Sequence, residues 1–510
     1  MQYITKREEI QAIDTYTIEE IGIPSMVLME RAAMSVAKVL MEYIEELELP
    51  DPIRVLIVTE GGNNGGDGLA LARMLCEAGL AVQVWQIGGV RHESEQYVMQ
   101  KNILNRLGIP VYRGVSPEII NEWKKPKYDI IVDAIFGVGL KRDVESPQRE
   151  VIEALNELGG LKCAVDIPSG IDSTSGRVLG TAFRADVTVT FGAMKLGHIF
   201  GEGSEYSGDV LVADIGFPSQ VFLARQPECY YYDESDLSRL PERKKNGNKG
   251  TFGKVTVVAG SSETCGAAVL AATSAYRTGC GLVEVITHLN NREALQKHLP
   301  EALIHVYESE EQAKELIQKA SKWADVIVAG PGIGLSSVGC SIVQEVLAVN
   351  KPLILDADAI TILSEHTKWW EERIAAGYAP VVITPHMKEM ERISGLSMEE
   401  LKAEPWASAR KMSDKGYICV CKDYRTVVTE PRKDGCYVNL SGNDGMAVGG
   451  SGDVLTGVIA GLFAQGLSLG DAARLGVYIH GLAGDAAAER SGHYSMLASD
   501  IIDGLIEVLR

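Results

Sequence analysis

Two glycine-aspartate blocks lie far apart in this chain: Asn63-Asn64-Gly65-Gly66-Asp67-Gly68 and Gly449-Gly450-Ser451-Gly452-Asp453. Each follows an extended apolar stretch and opens a helix-like one. A glycine-rich turn at a helix start offers backbone N–H groups to phosphate oxygens, and the helix dipole favours the negative charge. Neither block carries the lysine of a P-loop, so neither reads as a Walker site. The first block adds two amide side chains and a carboxylate. It groups with Asp133, with Gly137-Val138-Gly139-Leu140-Lys141-Arg142, and with Asp166-Ile167-Pro168-Ser169-Gly170-Ile171-Asp172. Such oxygen-rich sets suit hard cations, with Asn64, Asp133 and the Ser169 region as candidate ligands. The glycine turn with Lys141 and Arg142 suits phosphates. Plainer readings stand beside these: Asn-Gly is a common turn pair, Asp133 and Asp166 fit helix N-caps, and Gly137 to Arg142 fits a surface loop.

In the second block the aspartate sits beside an anion-binding turn. Asp453 can take a proton from a hydroxyl while the N–H groups stabilise a transferring phosphoryl. The alternative is an acid in the first helical turn that answers the dipole. Four further pieces each follow an apolar strand: Gly330-Pro331-Gly332-Ile333-Gly334, Asp356-Ala357-Asp358, Thr384-Pro385-His386-Met387-Lys388-Glu389 and Lys422-Asp423-Tyr424-Arg425-Thr426. His386 reads as a pocket residue or as a structural loop histidine. Gly260 to Ala268 has the wrong spacing for a P-loop and reads as a substrate-facing turn or a packing helix.

The elements that must position these groups repeat as strand then helix. In the first half the apolar strands are Arg54 to Thr59, Val82 to Trp85, Asp129 to Ala134, Lys162 to Asp166 and Val187 to Phe191, with helices over 68–79 and 149–158. The second half restarts at Lys254 to Gly260, with helices over 267–279, 452–465 and 469–490. Strand–helix alternation gives a mostly parallel sheet covered on both faces, whose ligands bind beyond the carboxyl ends of strands. The expected fold class is α/β, as two three-layer α/β/α domains, Rossmann-like then ribokinase-like. Proline, glycine and charge over 217–248 mark a boundary, giving domains at 1–220 and 249–510 with a linker at 221–248.

At 510 residues, two or three cores are expected. The net charge of −20 and a pI near 5.0 argue against nucleic acid or an anionic membrane as partner. Nine scattered cysteines without a C-x-x-C pair point away from zinc and toward a reducing cytoplasm. The first ten residues do not read as a signal peptide, and no stretch approaches about 20 apolar residues.

With both motif sets present in this order, the chain resembles the bifunctional NAD(P)H-hydrate repair enzymes over nearly its full length. The first half looks like the NAD(P)H-hydrate epimerase domain, the second like the ADP-dependent (S)-NAD(P)H-hydrate dehydratase. The resemblance implies substrate contacts at Asn63, Asn64, Gly65, Gly66, Asp67, at Gly137, Val138, Gly139, Leu140, Lys141, Arg142, Asp143, and at Asp166. It implies potassium at Asn64, Asp133 and Ser169. It implies ADP, with Mg2+, at Lys422, Asp423, Tyr424, Arg425, Thr426 and over Asn443, Asp444, Gly445, Met446, Ala447, Val448, Gly449, Gly450, Ser451, Gly452. Ala268, Gly334, His386, Met387, Lys388, Glu389 and Asp453 would face the hydrate. Asp453 and Asp166 are the candidate acid–base residues. A cytoplasmic homo-oligomer acting on small molecules is expected. The chain departs from the family at His386-Met387-Lys388-Glu389, where His-Pro-Gly-Glu is usual. A ribokinase-type small-molecule kinase shares the second block but leaves the first unexplained, as does a binding module without catalysis.

Overall fold

A computed structural model describes residues 1–87, 93–125 and 127–510. The chain divides into two compact units, Tyr3–Glu228 and Cys229–Arg510 with Met1–Gln2.

In the first unit a seven-stranded sheet runs in the spatial order Val111–Arg113, Ala81–Gln86, Arg54–Thr59, Ile130–Ala134, Leu161–Val165, Val187–Phe191, Asp209–Ala213. Every pairing is parallel. Strand Arg54–Thr59 is apolar without alternation because both its faces are covered: Val55 and Ile57 enter one core, Leu56 and Val58 the other. The order reverses between Arg54–Thr59 and Ile130–Ala134. A crevice opens at such a switch point, beyond the strand ends. Both the Asn63 block and the Gly137 loop lie there.

The helix after the first strand begins earlier than the sequence suggests, spanning Asn63–Glu77 rather than starting at Gly68. The glycines are therefore helical residues, not turn residues. Their need is close packing: a Cβ at Gly65 would lie 1.8 Å from the Glu60 carbonyl oxygen, at Gly66 2.6 Å from Met29, and at Gly68 2.6 Å from the Ala134 methyl. Helix and strands are drawn together until no side chain fits.

In the second unit the order is Leu303–Tyr307, Leu282–His288, Lys254–Val258, Val326–Ala329, Leu353–Leu355, Val381–Ile383, Ile418–Cys421, Val427–Thr429, Cys436–Val438, Cys229–Tyr231. Pairing is parallel through Ile418–Cys421, antiparallel across the next two, and parallel again at Cys229–Tyr231. Helix Ser451–Ala464 packs on Gly266–Arg277, where a Cβ at Gly457 would meet the Ser274 hydroxyl at 2.0 Å. That approach fixes the helix whose first turn carries Asp453. The proline- and charge-rich stretch before it holds helix Ser219–Arg225, strand Cys229–Tyr231 and a 3-10 turn at Glu234–Arg239. Among the described residues no helix is long and apolar enough to cross a membrane.

Candidate functional sites

In the first unit a cavity of about 600 Å³ opens at the switch point. Its wall includes Asn63, Asn64 and Asp67 from the glycine helix, Gly137, Val138, Gly139, Leu140 and Arg142 from the next loop, and Asp166. Gly65 and Gly66 are buried behind it, and Lys141 and Asp143 are exposed away from its wall. Asp14 and Lys195 also line it, and sequence reasoning missed both.

Asp166 follows strand Leu161–Val165 with φ +67, a left-handed conformation rarely adopted by a residue with a side chain. It caps no helix. Its Oδ1 accepts from Lys195 Nζ at 2.5 Å, Thr190 Oγ1 at 3.1 Å and the Phe191 N–H at 3.2 Å. Burial alone would raise its pKa; the Lys195 ammonium outweighs burial and holds the carboxyl below the usual range. His198 fixes the same corner. Its Nδ1 accepts the Lys195 N–H at 3.1 Å, so Nε2 carries the proton given to the Asp166 carbonyl at 3.0 Å. Burial lowers this imidazole to about 3, so it is neutral. Asp67 takes the opposite direction. Burial, then the charges of Asp166 and Asp14, push it well above the ordinary carboxylate range. Burial and Asp166 raise Asp14 as well. The cavity thus holds one carboxylate kept as an anion beside two, Asp67 and Asp14, whose pKa is pushed up.

Beside it, Asp133 is wholly buried at the end of its strand. Its oxygens accept from the Ser169 N–H at 2.7 Å, Ser169 Oγ at 2.6 Å and the Ile135 N–H at 3.2 Å. Burial raises it to about 6, and among the described residues no cationic side chain pairs with it. Ser169 Oγ also accepts the Phe136 N–H at 2.8 Å. The buried Asn64 Nδ2 has no hydrogen-bond partner. A methyl at Gly137 would sit 3.3 Å from the Asn64 side chain, so loop and amide are in contact. The Asp133 carboxylate, the Ser169 hydroxyl and the nearby Asn64 amide oxygen are hard oxygen donors of the kind that suit a cation.

In the second unit the strand ends bring the predicted pieces together. Lys422 Nζ lies 2.7 Å from Asp356 Oδ1, which also accepts from Thr384 Oγ1 at 2.7 Å. Ala357 follows with φ +51, a second strained residue at a strand end. Asp358 Oδ2 accepts the Gly334 N–H at 2.8 Å. A Cβ at Gly452 would come within 3.0 Å of Lys422 Nζ, so this glycine admits the lysine to the helix start. Gly450, at φ +95, turns the chain into that helix. Asp453 occupies the third position of the helix, yet burial and the charge of Asp356 raise it to about 7. A dipole-stabilising acid would shift the other way. Behind the turn, His480 Nε2 lies 3.5 Å from Ser451 Oγ, and burial lowers His480 to about 4.

The His386 departure leaves the turn intact by another device. Helix Met387–Ser394 starts directly after His386, and Glu389 at its third position accepts the His386 N–H at 2.9 Å. The Lys388 N–H donates to His386 Nδ1 at 3.1 Å. This capping box fixes the helix start, with Met387 and Lys388 in its first turn. His386 is tied to Lys422 through the Lys422 N–H donating to the Pro385 carbonyl at 2.8 Å. Arg425 Nη1 holds the Leu440 carbonyl at 3.0 Å, joining the 422–426 turn to the approach of the 443–452 loop. Asn443 is fixed by Asp485 at 3.0 Å, while Asp444 is exposed and hydrogen-bonds His493. Ala268 is wholly buried in the core, so its methyl offers no surface to a ligand.

The family model described as NAD(P)H-hydrate dehydratase matches residues 255–507, and that described as YjeF-related protein N-terminus matches 25–197. A bifunctional NAD(P)H-hydrate repair enzyme of Thermofilum pendens is 36% identical over 99% of this chain and 96% of its own length. The corresponding enzyme of Coxiella burnetii is 34% identical over 99% of both. The chain belongs to the bifunctional NAD(P)H-hydrate repair enzymes. Among solved structures, a Bacillus subtilis ADP/ATP-dependent NAD(P)H-hydrate dehydratase co-crystallised with ATP and Mg2+ is 28% identical. It covers 55% of this chain and 98% of its own, with a TM-score of 0.47. The Asp166 cluster lies within the first unit and the Asp453 cluster within the second.

Proposed function

We propose that the chain repairs hydrated nicotinamide nucleotides in two steps, epimerising the R and S hydrates of NAD(P)H and dehydrating the S form with conversion of ADP to AMP and phosphate. The observation that carries this reading is the pair of differently poised carboxylate centres in one family member, an ion-paired Asp166 beside a raised Asp67, and a raised Asp453 beside Lys422.

Hydration at C6 of the ring destroys the hydride donor and creates a stereocentre. In the first unit the hydrate lies against Asn63, Asn64 and Asp67, the loop residues Gly137 to Leu140 with Arg142, and Asp166. Inversion requires the C6–O bond to open, assisted by the ring nitrogen lone pair, and water to return to the other face. Protonated Asp67 gives its proton to the departing hydroxyl, and Asp166 takes one from the incoming water. Potassium would be held by Asn64, Asp133 and Ser169, supplying the positive charge that buried Asp133 lacks and fixing the loop beside the substrate.

In the second unit the nucleotide, as its Mg2+ complex, lies along Lys422 to Thr426 and Asn443 to Gly452. Gly334, His386 and Asp453 face the hydrate. Asp453 removes the proton of the C6 hydroxyl, whose oxygen attacks the β-phosphorus of ADP as the bond to AMP breaks. Lys422 and the N–H groups of the 449–452 turn balance the transferring charge. Phosphate then leaves C6 with assistance from the nitrogen lone pair, and C5 gives up a proton, restoring the dihydropyridine. Incubating the protein with mixed NADH hydrates, Mg2+ and ADP, with and without potassium, tests the reading. Full recovery of NADH absorbance is expected. Recovery of only the S fraction would remove the epimerase assignment, and none at all would remove both.

A further inference from the structure

Helix Arg7–Glu19 lies ahead of the residues matched by either family model, yet it reaches into the substrate cavity of the first unit. Asp14, one helical repeat of seven beyond Arg7, lines the cavity and so shares a face with it. Arg7 does not line the cavity. Its guanidinium, 9% exposed, lies behind the glycine loop. Nε donates to the Val138 carbonyl at 2.9 Å and Nη2 to the Leu140 carbonyl at 2.8 Å, and Nη2 also pairs with Asp172. Asp172 is held in turn by the Thr174 N–H at 3.0 Å and the Ser175 N–H at 2.8 Å. The Arg7 N–H donates to Thr174 Oγ1 at 3.0 Å, so the clamp closes on itself.

A trans peptide carries its C=O and N–H on opposite sides. With the Val138 carbonyl turned toward Arg7, the N–H of Gly139 is turned away from it. Gly139 lines the cavity, and among the described residues its N–H has no protein acceptor. Arg142, on the same loop, also lines the cavity. An unmatched N–H beside an arginine is the chemistry that receives a phosphate oxygen.

We propose that Arg7 is a positioning residue for substrate phosphate: by gripping the Val138 and Leu140 carbonyls from behind, it presents the Gly139 N–H and Arg142 to the pyrophosphate of the hydrated nucleotide. The inference rests on the epimerase reading above and goes beyond it in naming the residue, outside the loop, that orients the phosphate receptor. Arginine is required because only its planar fork serves two carbonyls and a carboxylate together; lysine retains the charge and loses the fork.

The test compares full-length wild type with Arg7→Lys and Arg7→Ala, using hydrated NADH and following epimerisation and dehydration separately. Arg7→Lys is expected to raise the epimerisation KM by roughly ten- to hundredfold with kcat within about twofold, as loss of a charge-assisted grip predicts. The inhibition constant of ADP-ribose should rise in step, while that of nicotinamide riboside, which lacks phosphate, stays unchanged. Equal weakening of both inhibitors, a fall in kcat alone, or an unchanged KM would overturn the proposal. Dehydration by the same polypeptide reports that the second unit is intact. Should Arg7→Ala fail to fold, the lysine variant still decides through the two inhibitors. Absence of epimerisation in wild type would instead count against the underlying reading.

Discussion

Asp166 and Asp453 are both carboxylates gathered near the carboxyl ends of parallel strands, and their surroundings charge them differently. Asp166 has a lysine at 2.5 Å and stays an anion below the usual range. Asp453 shares its lysine with Asp356, which takes the contact at 2.7 Å, and burial raises it to about 7. A direct ion pair fixes a charge; a buried carboxylate one group removed from the cation is left able to gain and lose a proton near neutrality. On the proposed reading each unit uses a different arrangement. In inversion Asp67 would be the acid and the Asp166 anion the base. In phosphoryl transfer to a hydroxyl Asp453 would be a base reset every turnover.

The largest test of this contrast is Asp453→Asn. Dehydration should fall by about 10²–10⁴-fold, with epimerisation of the same protein unchanged. Equal loss of both activities would remove the division of labour. Next, Lys195→Met strips Asp166 of its cation and leaves a buried charge. The first unit should lose about 3–5 kcal/mol of stability in denaturant unfolding, with epimerisation lost and dehydration kept. Loss below about 1 kcal/mol would mean that Asp166 finds water instead.

A smaller effect has the opposite sign. Since the folded-state pKa of Asp453 lies above its unfolded value, the folded chain binds more protons between about 4 and 7, and stability falls as pH rises through that window. Asp453→Asn should therefore stabilise the second unit at pH 8 by about 1–3 kcal/mol, read as a higher unfolding midpoint. A lower midpoint would show that the carboxylate is held by contacts rather than strained. For Asp166 the lowered pKa gives the reverse, a contribution present above its unfolded value and lost on acidification. The smallest effect is Glu389→Ala, which removes the capping box behind His386 and should cost about 0.5–2 kcal/mol. Calorimetry showing no change would return the His-Met-Lys-Glu turn to an unsupported loop.

Much of this was legible in the residues. Continuous apolar strands and their alternation with helices gave a mostly parallel α/β fold in each half, and the first glycine-aspartate block fell directly after a predicted strand, whereas the second follows a 3-10 turn at Asp444–Met446. What the pattern could not give was why the first block is rich in glycine. Gly65, Gly66 and Gly68 are helical, and their smallness answers Glu60, Met29 and Ala134, distant or facing residues whose approach exists only in the fold. Arg7 and Asp14 carry no motif, because the groups they meet are far along the chain: Val138, Leu140 and Asp172 for Arg7, Asp67 and Asp166 for Asp14. Lys195 did leave a signal: a single lysine within Ala193-Met194-Lys195-Leu196 is a charge in an apolar run, which folds stably only with a partner. The Pro-Gly replacement at Met387-Lys388 was visible as a departure, but the capping box of His386 and Glu389 required knowing that a helix starts there.

The most direct test of the contrast is the pH dependence of dehydration kcat/KM between pH 5 and 9, run beside epimerisation on the same wild-type protein. The account predicts that dehydration rises with pH and levels off above an inflection near 7, where Asp453 loses its proton. Epimerisation should stay level or decline across that interval, since Asp166 is already an anion and Asp67 must keep its proton. The dehydration inflection should persist in Glu389→Gln, a control chosen because burial pushes the Glu389 carboxyl up to about 7 as well. A dehydration profile flat through neutrality, or an inflection that leaves with Glu389, would contradict the assignment of Asp453 as the base.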